Sequence, residues 1–279
     1  MIIDGKAEAQ KLKEQIKQEI LEKDLKLKLV VVIVGDDPAS QIYVRNKKLA
    51  CEGVGIQSEI VALEKDVTQS VLNQTLDSLS NDVSVNGILL QLPLPRHLNE
   101  DQALSHIDSL KDVDGLTLEN AGKLFLNQNT IAPCTPLGIL HLIKTVCPNL
   151  KGLNAVVVGR SALVGKPTAQ LLLNSDCTVT ICHSKTKNLK EQTLLADILV
   201  VAIGQPKFIT GEYIKKDAIV IDVGINRVEG KIVGDVDFES ASEIASHITP
   251  VPKGVGPMTV AMLLKNLLTL FELQQKQIS

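Results

Sequence analysis

The chain has 279 residues and a formal net charge of −3, with 44% hydrophobic and only 2% aromatic residues. That length suits one large or two medium domains built around an aliphatic core. Lysine and arginine are scattered, which argues against a nucleic-acid-binding protein, and the apolar runs are too short to span a membrane.

The cysteines and histidines indicate neither disulfides nor a bound metal. The five cysteines are odd in number and include no CxxC pair, so a disulfide framework and a zinc site are both disfavoured. The five histidines are dispersed, and we expect no metal site. The first residues lack the apolar segment of a signal peptide, and free thiols suit a reducing compartment, so we expect a cytoplasmic protein.

Helical and strand patterns alternate along the first half of the chain. Asp4 is a candidate cap for a helix over 5–25, in which Leu12, Ile16 and Ile20 form one apolar face. The sequence then predicts, in order, a strand at 29–34, a helix at 37–52, a strand at 56–63, a helix at 68–79 and a strand at 85–91. This alternation is typical of a parallel sheet covered by helices.

A Leu-Pro-Leu-Pro segment at 92–95 interrupts the pattern, and 111–130 has the composition of a polar loop. A helix is predicted up to 146, followed by strands at 155–158, 178–182, 197–203 and 218–223 and a last long helix over 258–275. The second series predicts a separate sheet, so the fold class is α/β.

The segment GRSALVGKP at 159–167 lies between a predicted strand and a predicted helix. A strand, a small-residue turn and a helix N-terminus together suit a diphosphate, because the helix offers unpaired N–H groups and a partial positive charge. Ser161 stands where the common GxGxxG motif has its second glycine, so an ordinary turn is a competing interpretation.

The residues after the next strand bear on the choice of cofactor. NAD-binding sheets usually carry an acid there for the ribose hydroxyls, but this chain has His183-Ser-Lys-Thr186. These groups and Arg160 suit a 2′-phosphate, which favours NADP over NAD. For Lys185 a solvated surface charge is the competing interpretation.

Two further predicted strands are followed by turns at Gly204 and Gly224. Parallel sheets bind ligands at the carboxyl ends of their strands, although each of these segments is also compatible with an ordinary turn.

Tyr43 and Lys47 are four residues apart and therefore share one face of a helix. Tyr-x-x-x-Lys also occurs in short-chain dehydrogenases, but there it follows the nucleotide turn, whereas here it precedes it. Packing in the core is a competing role for Tyr43.

A series of motifs covers nearly the whole chain: VGDDPASQIYVRNK (34–47), GILLQLPLP (87–95), KDVDG (111–115), PCTP (133–136), GRSALVGKP (159–167), CHSKT (182–186), IDVGIN (221–226), GDVD (234–237) and PKGVGPMT (252–259). In this order they resemble the bifunctional methylenetetrahydrofolate dehydrogenase/methenyltetrahydrofolate cyclohydrolase family. The resemblance implies NADP-dependent oxidation of 5,10-methylenetetrahydrofolate to the 5,10-methenyl compound, followed by hydrolysis to 10-formyltetrahydrofolate.

The resemblance also implies two αβ domains with parallel sheets, the second Rossmann-like, with an active-site cleft between them. It assigns residues 1–135 and a returning helix at 258–279 to a folate-binding catalytic domain, and 136–257 to the NADP-binding domain. A homodimer is expected as well. An enzyme with only the dehydrogenase step, or an inactive NADP- or folate-binding module, stays open as an alternative.

The resemblance assigns individual roles in the site. Lys47 is the catalytic lysine, Gln91 tunes it, Tyr43 packs on the aminobenzoyl ring and Asp114 binds the pterin. The remaining substrate-binding candidates are Pro257 and Thr259. The cofactor-binding candidates are Gly159, Arg160, Ser161, Val164, Gly165, His183, Ser184, Gly204, Gly224 and Ile225.

One position departs from the family pattern, which usually has glycine where this chain has Lys253. Either the backbone angles there are ordinary, or the chain accepts strain, because glycine tolerates angles that lysine does not. If the position borders the cofactor, the Lys253 side chain adds a contact to phosphate or blocks one.

Overall fold

The computed structural model describes residues 1–278, which form two compact units. One unit comprises Met1–Gln10 and Pro133–Met262, and the other comprises Lys11–Ala132 and the chain from Leu263 onward. Each unit has its own parallel sheet, which confirms the prediction of a two-domain α/β protein. Among residues 1–278, no helix combines the length and apolarity needed to cross a membrane.

The unit that contains Lys11–Ala132 is built on a three-stranded parallel sheet with the strand order β2-β1-β3. The first half of the chain forms α1 (Gly5–Glu22), β1 (Lys28–Val34), α2 (Pro38–Val54), β2 (Gln57–Leu63), α3 (Gln69–Asn81), β3 (Gly87–Leu90), α4 (Glu100–Leu104) and α5 (Leu118–Phe125). The central strand β1 is a run of β-branched and aliphatic residues, all but its first buried, as expected for a parallel strand covered on both faces.

Local sequence explains where α2, the helix after β1, begins and ends. The Asp37 carboxylate accepts the Ser40 backbone N–H at 2.8 Å, and Pro38 occupies the first turn, where no N–H is needed. Gly55 ends the helix at a φ of 87°, which glycine adopts without strain. The helix therefore starts immediately beyond the carboxyl end of β1.

The other unit contains a five-stranded parallel sheet with the order β10-β7-β6-β4-β5. The second half of the chain forms α6 (Cys134–Val146), β4 (Asn154–Val158), α7 (Gly165–Leu173), β5 (Thr178–Cys182), α8 (Leu189–Thr193), β6 (Ile198–Val201), β7 (Ile219–Asp222), β8 (Asn226–Val228), β9 (Lys231–Val233), α9 (Phe238–Ser242), β10 (His247–Ile248) and α10 (Val255–Ile278). Strand order reverses at β4, which lies between β5 and β6. Ligands of doubly wound sheets bind at such a switch point.

The structure corrects the prediction of a polar loop over 111–130. Residues Leu118–Phe125 form α5, with the Thr117 hydroxyl accepting the Asn120 N–H at 3.4 Å as the helix cap. The helix was not predicted because two of its large apolar residues, Leu118 and Phe125, are exposed. Its buried residues are Asn120 and Leu124, of which only one is apolar, so hydrophobic periodicity does not mark the helix. The short helices α4, α8 and α9, the strand β10 and the antiparallel β8–β9 hairpin were also not predicted.

Lys253 has a φ of 85°, in the left-handed region that favours glycine. Its carbonyl oxygen accepts the Lys6 backbone N–H at 2.9 Å. The following Gly254 is confined, because a Cβ there would lie 2.4 Å from the Pro250 carbonyl oxygen. Of the two possibilities at position 253, the chain thus adopts the strained one.

We expect Lys253→Gly to raise the free energy of unfolding by about 0.5–1 kcal/mol, because glycine relieves the left-handed strain. The greater conformational freedom of glycine in the unfolded chain offsets part of that gain. Lys253→Ala is the matched control, since it removes the same side chain but keeps the Cβ. Chemical denaturation of the three proteins measures the difference. Equal stability of the Gly and Ala variants would show that position 253 carries no strain.

Candidate active site

The candidate catalytic lysine and glutamine are in direct contact. Lys47 lies on α2, and Gln91 follows β3 at its carboxyl end. The Lys47 ammonium Nζ donates to Gln91 Oε1 at 3.2 Å. Gln91 is itself fixed, because its Nε2 donates to the Leu92 carbonyl at 2.7 Å and its backbone N–H donates to Val32 at 2.9 Å. The amide oxygen therefore faces the lysine and holds it without adding charge.

Tyr43 and Cys51 lie one turn before and one turn after Lys47 on α2. The Tyr43 side chain is 49% exposed, which leaves its ring available to a ligand rather than placing it in the core. Burial raises the pKa of the Cys51 thiol to about 12, against a smaller opposing effect of a hydrogen bond with Ser58. Cys51 thus stays protonated near neutral pH and is no competing nucleophile.

The segment that carries Asp114 runs beside β3. The Ile88 N–H donates to the Lys111 carbonyl at 2.7 Å, and the Val113 N–H donates to the Ile88 carbonyl at 3.4 Å, as in a parallel bridge. Since parallel strands end at one edge of a sheet, the half-buried Asp114 is placed at the carboxyl edge, as Gln91 is.

Two buried residues that were not predicted fix this segment. Asp112 accepts the Thr117 backbone N–H at 2.8 Å and the Asn120 side-chain amide at 2.9 Å. Burial raises the pKa of Asp112, and these hydrogen bonds oppose that shift. Asn266 of α10 donates to the Val113 carbonyl at 2.9 Å. Asp112 lies within the KDVDG motif, whereas nothing in the sequence near Asn266 indicates its role.

The other two substrate-binding candidates lie in the first turns of α10, in the unit with the five-stranded sheet. Pro257 is half-buried, and the Thr259 hydroxyl is 2.9 Å from the Thr135 hydroxyl. The structure therefore brings Lys47 and Gln91 into contact and places Tyr43 and Asp114 in the same unit. Pro257 and Thr259 belong to the other unit.

The turn after β4 depends on close backbone approaches that only glycine permits. Gly159 has a φ of 131°, and a Cβ there would lie 2.3 Å from the Ala202 carbonyl oxygen. A Cβ on Gly165 would lie 2.3 Å from the Gly159 carbonyl oxygen. The Ser161 hydroxyl accepts the N–H groups of Val164 at 3.2 Å and Gly165 at 3.3 Å. Ser161 thus closes the turn at the start of α7.

A pocket of about 280 Å³ opens at the carboxyl ends of β4, β5 and β6. It is lined by Val158, Gly159, Arg160, His183, Ser184, Leu189, Ala202, Ile203, Gln205 and Phe208. None of these lining residues, all within the described part of the chain, is acidic. Four of them were predicted: Gly159, Arg160, His183 and Ser184. Ala202 and Ile203 belong to the turn that leads to the candidate Gly204, and the other four, Val158, Leu189, Gln205 and Phe208, were not assigned to the site. The pocket and the turn fit a dinucleotide, whose phosphates suit the Arg160 guanidinium and the N-terminus of α7.

The turn after β5 fixes the tautomer of His183. Its Nδ1 accepts the Lys185 backbone N–H at 3.1 Å, so Nε2 carries the proton of the neutral ring. The His183 backbone N–H donates to the Thr186 hydroxyl at 2.9 Å. A ring N–H donor in this position suits a phosphate or ribose oxygen better than a metal ion. Within residues 1–278, no group of three or more His, Cys, Asp or Glu side chains is arranged to hold a metal.

The remaining cofactor candidates lie in turns after β6 and β7. Gly204 has a φ of 66°, Gly224 is buried, and Ile225 is 55% exposed. Two buried carboxylates beneath these turns, Asp222 and Asp235, were not predicted. Burial raises the pKa of Asp222 to about 6, against the opposing effect of three backbone N–H donors.

One unit contains a turn suited to a dinucleotide, and the other contains a lysine that is hydrogen-bonded to a glutamine side chain. Together these features define the class of protein, a nucleotide-dependent enzyme with a separate catalytic unit. Two family models match the chain: the tetrahydrofolate dehydrogenase/cyclohydrolase catalytic domain over residues 3–114, and the NAD(P)-binding domain of the same family over residues 133–275. The chain belongs to the tetrahydrofolate dehydrogenase/cyclohydrolase family, which confirms the resemblance of its motifs.

Individual relatives agree with this family. The bifunctional protein FolD of Bacillus cytotoxicus is 51% identical over 270 residues, which cover 95% of this chain and 94% of that protein. The crystal structure of the FolD methylenetetrahydrofolate dehydrogenase/cyclohydrolase from Campylobacter jejuni is 47% identical, with a TM-score of 0.95 over 98% of this chain and 99% of that one. The Trypanosoma brucei N5,N10-methylenetetrahydrofolate dehydrogenase-cyclohydrolase, complexed with NADP and an inhibitor, is 39% identical, with a TM-score of 0.93 over 98% of each chain.

Proposed function

We propose that Lys47, Gln91, Tyr43 and Asp114 carry out the two reactions of the family on one folate substrate. The protein is a methylenetetrahydrofolate dehydrogenase and methenyltetrahydrofolate cyclohydrolase, as its family membership and its bifunctional relatives indicate. The observation that supports the residue roles most directly is the Lys47–Gln91 hydrogen bond of 3.2 Å.

In the oxidation step, the protein's own residues act by positioning. The methylene carbon lies between two nitrogens, so the cation left by hydride loss is shared by both and needs little acid–base assistance. The Asp114 carboxylate is suited to accept two N–H bonds from the amino-pyrimidinone edge of the pterin, and the Tyr43 ring is suited to stack on the aminobenzoyl ring. When bound, NADP supplies the hydride acceptor.

In the hydrolysis step, water adds to the methenyl carbon, and Lys47 in its neutral form takes the proton from that water. As one carbon–nitrogen bond then breaks, the hydroxyl group of the adduct becomes the formyl carbonyl and its proton passes to the departing nitrogen. This gives 10-formyltetrahydrofolate, and the proton taken up by Lys47 is released to solvent. Gln91 orients the lysine by accepting one of its N–H groups, which leaves the lone pair of the neutral amine for the water. This division of roles makes Lys47 more important for hydrolysis than for oxidation.

The cofactor is proposed to be NADP rather than NAD. Arg160 and His183 in the pocket, together with the absence of an acid among the described residues that line it, support that choice.

We also propose that residues 1–135 and 258–279 form the folate-binding domain and that residues 136–257 form the NADP-binding domain. The protein is further proposed to be a cytoplasmic homodimer.

The test is a two-signal absorbance assay. The purified protein is mixed with methylenetetrahydrofolate and either NADP or NAD, and reduced cofactor and the methenyl compound are followed separately. We expect cofactor reduction with NADP and turnover of the methenyl compound. Cofactor reduction with accumulating methenyl compound would contradict the hydrolytic role and support a dehydrogenase alone. Neither signal would support an inactive binding module.

A further inference from the structure

Asp235 is completely buried beneath two turns at the carboxyl edge of the five-stranded sheet. Its Oδ2 accepts the backbone N–H groups of Ile203 at 2.7 Å and Gly204 at 2.9 Å, in the turn after β6. Its Oδ1 accepts the side-chain N–H of Asn226 at 2.9 Å, where the turn after β7 leads into β8. One carboxylate therefore joins the two turns.

A second carboxylate, Asp222 at the end of β7, fixes Asp235 in turn. Asp222 Oδ1 accepts the backbone N–H groups of Gly224 at 3.0 Å and Asp235 at 2.9 Å. Its Oδ2 accepts the Val236 N–H at 3.0 Å. The two acids are thus linked through main-chain donors, and the segment before α9 is tied to the turn after β7.

Two glycines are needed for this arrangement. A Cβ on Gly224 would lie 2.3 Å from the carboxyl carbon of Asp235, and a Cβ on Gly234 would lie 1.8 Å from Asp222 Oδ2. Neither distance is compatible with a side chain. Glycine is therefore required at positions 224 and 234, because only a residue without a Cβ lets the backbone approach the two carboxylates this closely.

We propose that Asp235 is a positioning residue for hydride transfer, because it holds Gly204 and the turn from Asp222 to Asn226 beneath the reactive end of the bound cofactor. This inference rests on the proposed function and on the prediction that Gly204, Gly224 and Ile225, which lie in these two turns, bind the cofactor. Asp235 has no exposed surface, so it acts through these turns rather than by touching the ligand. A buried carboxylate is unfavourable unless its oxygens are hydrogen-bonded. Each of the hydrogen bonds to the Asp235 carboxylate comes from a residue of one of the two turns: Ile203, Gly204 or Asn226.

The expected effect falls on the rate of hydride transfer rather than on affinity. A displacement of about 1 Å between reacting groups lowers a rate by roughly 100-fold. Arg160 and His183, which suit the phosphates, lie at the ends of β4 and β5 and make no hydrogen bond to Asp235 within the described structure. Asp235 does hold Ile203, which lines the same pocket, so loss of Asp235 should lower kcat by much more than it raises the KM for NADP.

The test compares two substitutions that both keep the branch of the aspartate side chain at the γ carbon. Asp235→Leu removes both acceptor oxygens, whereas Asp235→Asn keeps one oxygen for Ile203 and Gly204, and the Asn226 amide can rotate to accept from the new N–H₂ group. We expect the dehydrogenase kcat to fall about 100-fold in the leucine variant and less than about 5-fold in the asparagine variant. The KM for NADP should change less than about 3-fold in both.

Hydrolysis of supplied methenyltetrahydrofolate without cofactor is the internal control, and it should stay within about 2-fold of wild type. An unchanged kcat in a folded leucine variant would overturn the inference. So would equal losses in both variants, or a KM for NADP that rises as much as kcat falls. A wild-type protein that reduces no cofactor would overturn the proposed function, and this inference with it.

If the leucine variant does not fold, Asn226→Ala tests the same connection at a half-buried position. This substitution removes one hydrogen bond to Asp235 and should lower the dehydrogenase kcat about 10-fold, with the KM for NADP retained. A kcat at the wild-type value in this variant would overturn the inference.

Discussion

Replacing Lys47 with methionine is expected to lower the rate of methenyltetrahydrofolate hydrolysis by at least about 100-fold, the usual contribution of a positioned general base. Methionine keeps an unbranched stem of the same length, with sulfur in place of one methylene, and lacks the amine, which is the group that takes the proton from water. Oxidation should be less affected, because it depends on positioning. Separate assays of hydrolysis, with supplied methenyl compound, and of cofactor reduction measure the two effects.

Lys48→Met is the matched control for this substitution. Lys48 is the next residue on α2, is partly exposed and lies 3.9 Å from Glu52 in an ion pair of the surface type. Its loss should leave both activities near their wild-type values, since exposed pairs of this kind contribute little. Hydrolysis that survives at the parental rate in Lys47→Met would refute the role of the amine.

Replacing Asp114 with alanine is expected to weaken folate binding by about 100-fold, because two hydrogen bonds from the pterin to a charged acceptor would be lost. NADP binding should be kept, since the cofactor candidates lie in the other unit of the chain. Direct titration of the purified variant with each ligand separates the two effects.

Asp101→Ala is a suitable control, because Asp101 is an exposed acid in the first turn of α4 in the same unit as Asp114. It should bind both ligands as the wild-type protein does. Equal loss of folate and NADP binding in Asp114→Ala would indicate misfolding and contradict a specific contact with the pterin.

The sequence predicted those parts of the protein in which the signal is local. The apolar run of β1, the helix cap at Asp37 and the spacing of Tyr43 and Lys47 each determine a feature within a few residues. The pairing of Gln91 with Lys47 joins residues that are distant in sequence and was implied by the family resemblance, and the structure contains a hydrogen bond between these two side chains. The turn after β4 was likewise recognisable from its position between a strand and a helix.

Features that depend on distant parts of the chain were not predictable. Asp235 reaches Ile203 and Gly204 across about thirty residues, and Asn266 reaches Val113 from the last helix. Hydrophobic periodicity carries no information about such polar contacts. The left-handed angle of Lys253 required coordinates as well, because the sequence was equally compatible with an ordinary backbone.

A crystal structure of the protein with NADP and a folate analogue tests the central claim most directly. The account predicts the Lys47 amine within about 4 Å of the position of the one-carbon bridge, either directly or through one water, with the Asp114 carboxylate on the pterin edge. A folate analogue bound elsewhere, with the Lys47 amine directed into bulk solvent, would contradict it.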